Sequence, residues 1–139
     1  GERIGFAIGS AELIKALHDV KYSFNSYTMN RSALAAGTAS VQDSAYLQEI
    51  TAKIVATREH AKDVLAEMGF QFPDSKSNFL FVTHPDCDAH DLFEALRQAH
   101  IFVRWFDSPR IRNYLRITIG TDAQMESLFA FLRKYLQQK

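Results

Sequence analysis

Cysteine occurs once in this chain, at Cys87, so no internal disulfide can form, and such usage fits a reducing compartment such as the cytosol. Cys87 stands between Asp86 and Asp88, a setting that blunts a thiol nucleophile. Neither charge sign is in excess: 16 basic and 16 acidic residues cancel, which leaves no global field to draw nucleic acid or an anionic membrane. Any anion site must therefore be local. Long apolar runs are missing too, since none approaches the roughly 20 residues that span a bilayer, and the N-terminus lacks the basic-then-apolar form of a secretion signal. The expectation is a soluble cytoplasmic protein. The first residue is not methionine and the chain runs at once into a strand-like segment, so a piece of a larger protein is expected.

Complete catalytic motifs are lacking as well. His18, His60, His84, His90 and His100 show no metal-ligand spacing with a third ligand. His84 and His90 flank Asp86, Cys87 and Asp88, but a loop followed by a capped helix accounts for those aspartates more simply. The glycines at positions 1, 5 and 9 do not make a dinucleotide fingerprint, and no serine sits in a nucleophile elbow.

What the chain has is apolar mass: 139 residues, 47% hydrophobic, with eleven phenylalanines, enough for one domain's core. Residues 4–8 read as a short strand, apolar on both faces. Ser10 is placed to cap a helix of about ten residues with Leu13, Ile14, Leu17 and Val20 on one side. Residues 21–26 break that pattern and read as a loop, and a small-residue helical stretch follows, interrupted near residues 37–40. From about Asp43 a long helix repeats Leu47, Ile50, Ile54, Ala61, Leu65 and Met68 until Gly69 stops it. Residues 78–83 read as a strand. Asp88 caps a helix that buries Leu92, Leu96 and Ala99, two short strands follow, and Thr121 with Gln124 forms a capping box for the last helix. The order β-α-α-α-β-α-β-β-α implies an α/β fold, an α+β sandwich in which helices cover a small, mostly antiparallel sheet. One boundary is drawn near residues 22–25, separating a first strand and helix (1–24) from the rest (25–139).

Each of the two short strands carries an arginine. In Leu115-Arg116-Ile117-Thr118-Ile119, alternation puts Leu115, Ile117 and Ile119 on one face and Arg116 and Thr118 on the other. Arg104 sits likewise between Val103 and Trp105, and the turn-rich residues 107–110 let the two runs lie side by side. Adjacent arginines form a clamp for a carboxylate or phosphate, whereas strand arginines also pair with a nearby acid or rest their stems on apolar surface.

Five segments fall in a telling order: Gly-Glu-Arg-Ile-Gly at residues 1–5, Tyr-Ser-Phe-Asn at 22–25, Ser77-Asn78-Phe79, Val103-Arg104, and Leu-Arg-Ile-Thr-Ile-Gly-Thr at 115–121. Over nearly its whole length the chain resembles the C-terminal part of a histidinol-phosphate aminotransferase, a pyridoxal-phosphate enzyme of the class I/II family and fold type I. The resemblance implies the small C-terminal domain of that fold plus a strand and helix left from the large cofactor-binding domain. It implies that Arg3 contacts the phosphate of pyridoxal 5'-phosphate, and that the lysine holding this cofactor lies upstream, so no catalytic residue is assigned in this chain. Arg116 matches the arginine that grips the carboxylate of glutamate or 2-oxoglutarate and the phosphate of histidinol phosphate in alternate half-reactions. Arg104 matches a position associated with the substrate phosphate. Tyr22 aligns with the tyrosine of a Pro-Tyr-Asn loop, although Lys21 precedes and Ser23 follows it here; packing on the long helix is the other reading. A homodimer in histidine biosynthesis is implied, with no nucleic acid, membrane or metal. Alternatives are a related decarboxylase or aromatic aminotransferase, and a stand-alone anion-binding module.

Overall fold

The computed structural model describes residues 3–137, so Gly1 and Glu2 of the first glycine-arginine segment lie outside the described residues. The chain divides into two compact units, Gly1–Gln48 and Glu49–Lys139. Residue 24, where the sequence suggested a boundary, is the last residue of the first helix.

In the first unit, α1 (Ala11–Phe24) starts at Ser10, whose hydroxyl accepts from the Leu13 amide at 3.4 Å. The loop expected at residues 21–26 is a correction: α1 runs on through Phe24, and the Asn25 amide donates to the Lys21 carbonyl. Loss of the apolar period marks no break there, because no turn of α1 is buried and an exposed helical turn needs no period. The interruption expected near residues 37–40 is also absent, since α2 (Arg31–Gln42) continues through Gly37. Asn30 caps it, accepting from the Ala33 amide at 2.7 Å. The strand expected over residues 4–8 does not form among the described residues. A strand exists through hydrogen bonds to a neighbour, and the described residues of this unit offer no second one. Phe6 and Ile8 are accordingly 79% and 90% exposed.

The second unit holds the core. α3 (Ser44–Glu67) ends at Gly69, whose φ of 86° is open to glycine, with the Phe70 amide turned back onto the Leu65 carbonyl. β1 (Phe79–Val82), α4 (Ala89–Gln98), β2 (Arg104–Trp105), β3 (Leu115–Thr118) and α5 (Asp122–Leu136) follow. The sheet has the order β1-β3-β2, antiparallel throughout, so β1 and β2 run parallel on either side of β3 with α4 as their crossover. Leu80, Val82, Leu115 and Ile117 point to one face and are at most 2% exposed, packing with Leu65, Leu92, Leu96, Phe129 and Leu132 from the helices. The expected caps are present: Asp88 accepts from the His90 and Asp91 amides, and Thr121 and Gln124 exchange both capping-box bonds. Ala99 differs from expectation, standing exposed as the C-cap of α4 because His100 turns the chain at a φ of 59°.

Arg58 on α3 is 5% exposed, a buried cation that the sequence pattern did not reveal. Its Nη1 donates to the Ser77 carbonyl at 3.0 Å and its Nε and Nη2 to Glu59. Lys62 extends the network, bridging Glu59 at 3.0 Å and Asp74 at 2.6 Å, and Lys76 reaches Asp74. The hydrogen bonds from Arg58 first, then Lys62, hold the Glu59 carboxyl below its ordinary 4.5, and Lys62 then Lys76 hold Asp74 below 3.8. Asp74 and Glu59 in turn raise Lys62 above 10.5. A depressed carboxyl stabilises the fold above its unfolded pKa and loses that contribution as pH falls through the folded value. A raised amine contributes below its unfolded pKa and loses it as pH climbs through the folded one. Stability is therefore expected to be flat through neutral pH and to fall below about 4.5. Asp74→Asn should flatten part of that acid decline in urea unfolding followed against pH; an unchanged acid limb contradicts it.

Candidate functional site

The face of the sheet opposite the core carries Phe79, Phe81, Arg104, Arg116 and Thr118. Register sets this: Arg116 is the Cα partner of Phe81 on β1 and of Arg104 on β2. Burial of Leu115 and Ile117 leaves Arg116 no other direction, because successive side chains on a strand alternate. The two arginines predicted to be neighbours are thus directly opposed, an arrangement that like charges disfavour.

Neither finds an acid. Among the described residues the ion-paired arginines are Arg58 and Arg97. What lies against the pair is aromatic: the Arg116 Cζ is 5.3 Å from the Phe79 ring centroid and 5.7 Å from that of Phe106, and the Arg104 Cζ is 6.0 Å from the same Phe106 ring. An aromatic face attracts a cation without neutralising it or using its N–H donors. Arg116 is half-buried, and its Nε is shielded from solvent without a hydrogen-bond partner. A donor left so costs the fold about 1–3 kcal/mol. An anion that accepted from Nε would remove that cost and offset the repulsion of Arg104. The sequence pattern marks Phe79 only within Ser77-Asn78-Phe79 and does not single out the Phe106 ring, although Phe106 lies two residues beyond Arg104.

Arg3 and Tyr22 belong to the first unit. Arg3 is exposed, has a φ of 60°, and makes no ion pair among the described residues. A non-glycine residue in that left-handed region is uncommon. Tyr22 sits on the last turn of α1 and not in a loop, 59% exposed, with the His18 ring edge-on at 5.7 Å and the Lys21 Nζ 5.4 Å from its ring centroid.

The histidine-aspartate run is engaged in local structure. His84 Nε2 lies 3.1 Å from the Met68 carbonyl at the end of α3, and the Asp88 carboxylate receives the first amides of α4. His90 packs edge-on against Trp105 at 4.6 Å, and the Trp105 indole donates to the Arg112 carbonyl. Ligand atoms of Asp88, His90 and Asp91 lie within 4.8 Å of one another, all exposed.

The fold is an α/β fold shared with solved fold-type-I aminotransferases. The histidinol-phosphate aminotransferase of Sinorhizobium meliloti, solved in complex with pyridoxal-5'-phosphate, superposes with a TM-score of 0.78 at 27% identity over 88% of this chain and 35% of its own. For the fold alone, the Clostridium acetobutylicum histidinol-phosphate aminotransferase gives a TM-score of 0.81 at 17% identity, covering 90% of this chain and 39% of that one. The chain belongs to the aminotransferase class I and II family, whose model matches residues 1–132. Histidinol-phosphate aminotransferases of Lactococcus lactis subsp. cremoris and Brachyspira hyodysenteriae are 50% and 46% identical to it, over 100% and 98% of its length. The chain spans 39% and 38% of the length of these two relatives.

Proposed function

We propose that this chain is part of a pyridoxal-phosphate-dependent aminotransferase that moves an amino group between glutamate and imidazole-acetol phosphate, yielding histidinol phosphate in histidine biosynthesis. The observation that carries the substrate assignment is the opposed Arg104–Arg116 pair, unmatched by any carboxylate among the described residues, with the Arg116 Nε shielded and unsatisfied. Histidinol-phosphate aminotransferases such as one 50% identical along the whole chain support the reading.

Arg116 receives the carboxylate of glutamate or 2-oxoglutarate and, in the other half-reaction, the phosphate of the amine. One guanidinium serves both because each ligand presents oxygens that accept its parallel N–H donors. Arg104 adds a second cation that favours the phosphorylated substrate. Arg3 suits the cofactor phosphate: its guanidinium is exposed, without an ion pair among the described residues, and permanently charged. Pyridoxal phosphate, when bound, supplies the electron sink for the transfer. The residues of this chain bind and orient, and the lysine that holds the cofactor is assigned to sequence outside it. Tyr22 serves as a substrate-side residue, residues 1–24 are part of the cofactor-binding domain and residues 25–139 form the small domain. The complete protein is proposed to be a cytoplasmic homodimer.

Steady-state kinetics of Arg104→Ala in the complete enzyme test the substrate. KM for histidinol phosphate should rise about 10- to 100-fold, the worth of one charge-assisted hydrogen bond, while KM for glutamate changes less than about threefold. An aromatic aminotransferase has no phosphate for Arg104 to meet, so an unchanged KM for histidinol phosphate would sink the assignment.

A further inference from the structure

The arginine pair poses a problem that its proposed ligand does not solve. Before an anion arrives, two like charges sit opposite each other on adjacent strands with no acid between them, and long arginine side chains so placed would splay into solvent. Among the described residues, Phe106 is the one ring that both guanidiniums share, with Cζ-to-centroid distances of 6.0 Å and 5.7 Å. It follows β2 directly and is half-buried, and the Ser108 amide donates to its carbonyl at 2.9 Å, which limits the freedom of its backbone. A carboxylate in its place would hold the arginines equally well, but it would compete with the substrate anion for the same N–H groups. The face of a benzene ring attracts the cations through its quadrupole and leaves those groups free.

We infer that Phe106 is a positioning residue for anion binding: its ring gathers the Arg104 and Arg116 guanidiniums into one orientation while leaving their donors unfilled. The inference rests on the anion-clamp reading above and assigns the ring a role in ligand affinity beyond packing. Phe79, 5.3 Å from the Arg116 Cζ alone, steadies one arginine and cannot couple the two.

The test uses the complete aminotransferase that contains these 139 residues, with inorganic phosphate and glutarate as probes. Binding is followed by calorimetry and by the NMR signal of the Arg116 Nε–H. The wild-type chain should bind both probes and shift that resonance. Phe106→Leu, which keeps apolar bulk and removes the ring, should weaken phosphate about 5- to 30-fold, the product of two modest cation–π contacts. Phe106→Tyr should stay within about twofold of wild type, since it keeps the ring face. Phe106→pentafluorophenylalanine keeps the shape and reverses the quadrupole, so it separates electrostatics from packing and serves even where leucine perturbs the fold. It should weaken phosphate at least as much as leucine does. Wild-type affinity in the pentafluoro chain overturns the inference and leaves the clamp standing. A wild-type enzyme that binds neither probe overturns the clamp and, with it, the role of Phe106.

Discussion

Arg116→Ala in the complete aminotransferase is expected to lower kcat/KM for glutamate and for histidinol phosphate alike, by about 10²- to 10⁴-fold. The magnitude follows from two charge-assisted hydrogen bonds lost from a bidentate contact, each worth about 1.5–3 kcal/mol. Arg116→Lys should recover little, because an ammonium is a point charge that does not present two parallel donors to a carboxylate. Stability should move the other way or not at all. The substitution removes a shielded, unsatisfied Nε and one of two opposed cations, so Tm is expected to hold or to rise slightly. This opposite response of activity and stability marks a residue kept for binding. A variant that unfolds readily yet turns over both substrates normally would make Arg116 a structural residue instead.

Arg58→Met should do the reverse, leaving the anion contacts in place and costing about 2–4 kcal/mol of stability. Methionine retains the buried stem but removes every donor, so the Ser77 carbonyl loses the guanidinium bond it receives at 3.0 Å. That carbonyl belongs to a local knot in which the Ser75 and Ser77 hydroxyls both donate to the Phe79 carbonyl, at 2.7 Å and 3.1 Å, fixing the entry of β1. Glu59 is half-exposed and rehydrates when its partner goes, which keeps the loss below that of a fully buried pair. For a chain of this size the expected fall in Tm is about 6–14 °C. A change under about 1 kcal/mol by urea unfolding would show that the serine knot holds β1 without Arg58.

Contacts between near neighbours were readable in the sequence. Ser10, Asp88 and the Thr121–Gln124 box cap their helices as expected, because a cap is a contact across three or four residues. The alternation of Leu115, Arg116, Ile117 and Thr118 survives intact, since a strand's geometry fixes which side each residue faces. An apolar pattern does not make a strand without a partner, and loss of the pattern does not break a helix. Residues 4–8 have a strand's composition without a strand's partner, and residues 21–24 lose their period while remaining helical. The candidate site was half visible. Arg104 and Arg116 declared themselves as cations within apolar strands. Phe106 and Arg58 did not, because the ring's two partners lie on different strands and the Ser77 carbonyl is 19 residues from Arg58.

If Arg104 and Arg116 grip one phosphate together, as proposed, a double-mutant cycle on kcat/KM measures it. With Arg104→Ala, Arg116→Ala and the double variant in the complete enzyme, the losses for histidinol phosphate should be non-additive by about 1 kcal/mol or more, while those for glutamate add. Additive losses for histidinol phosphate would mean that the two arginines do not share an anion.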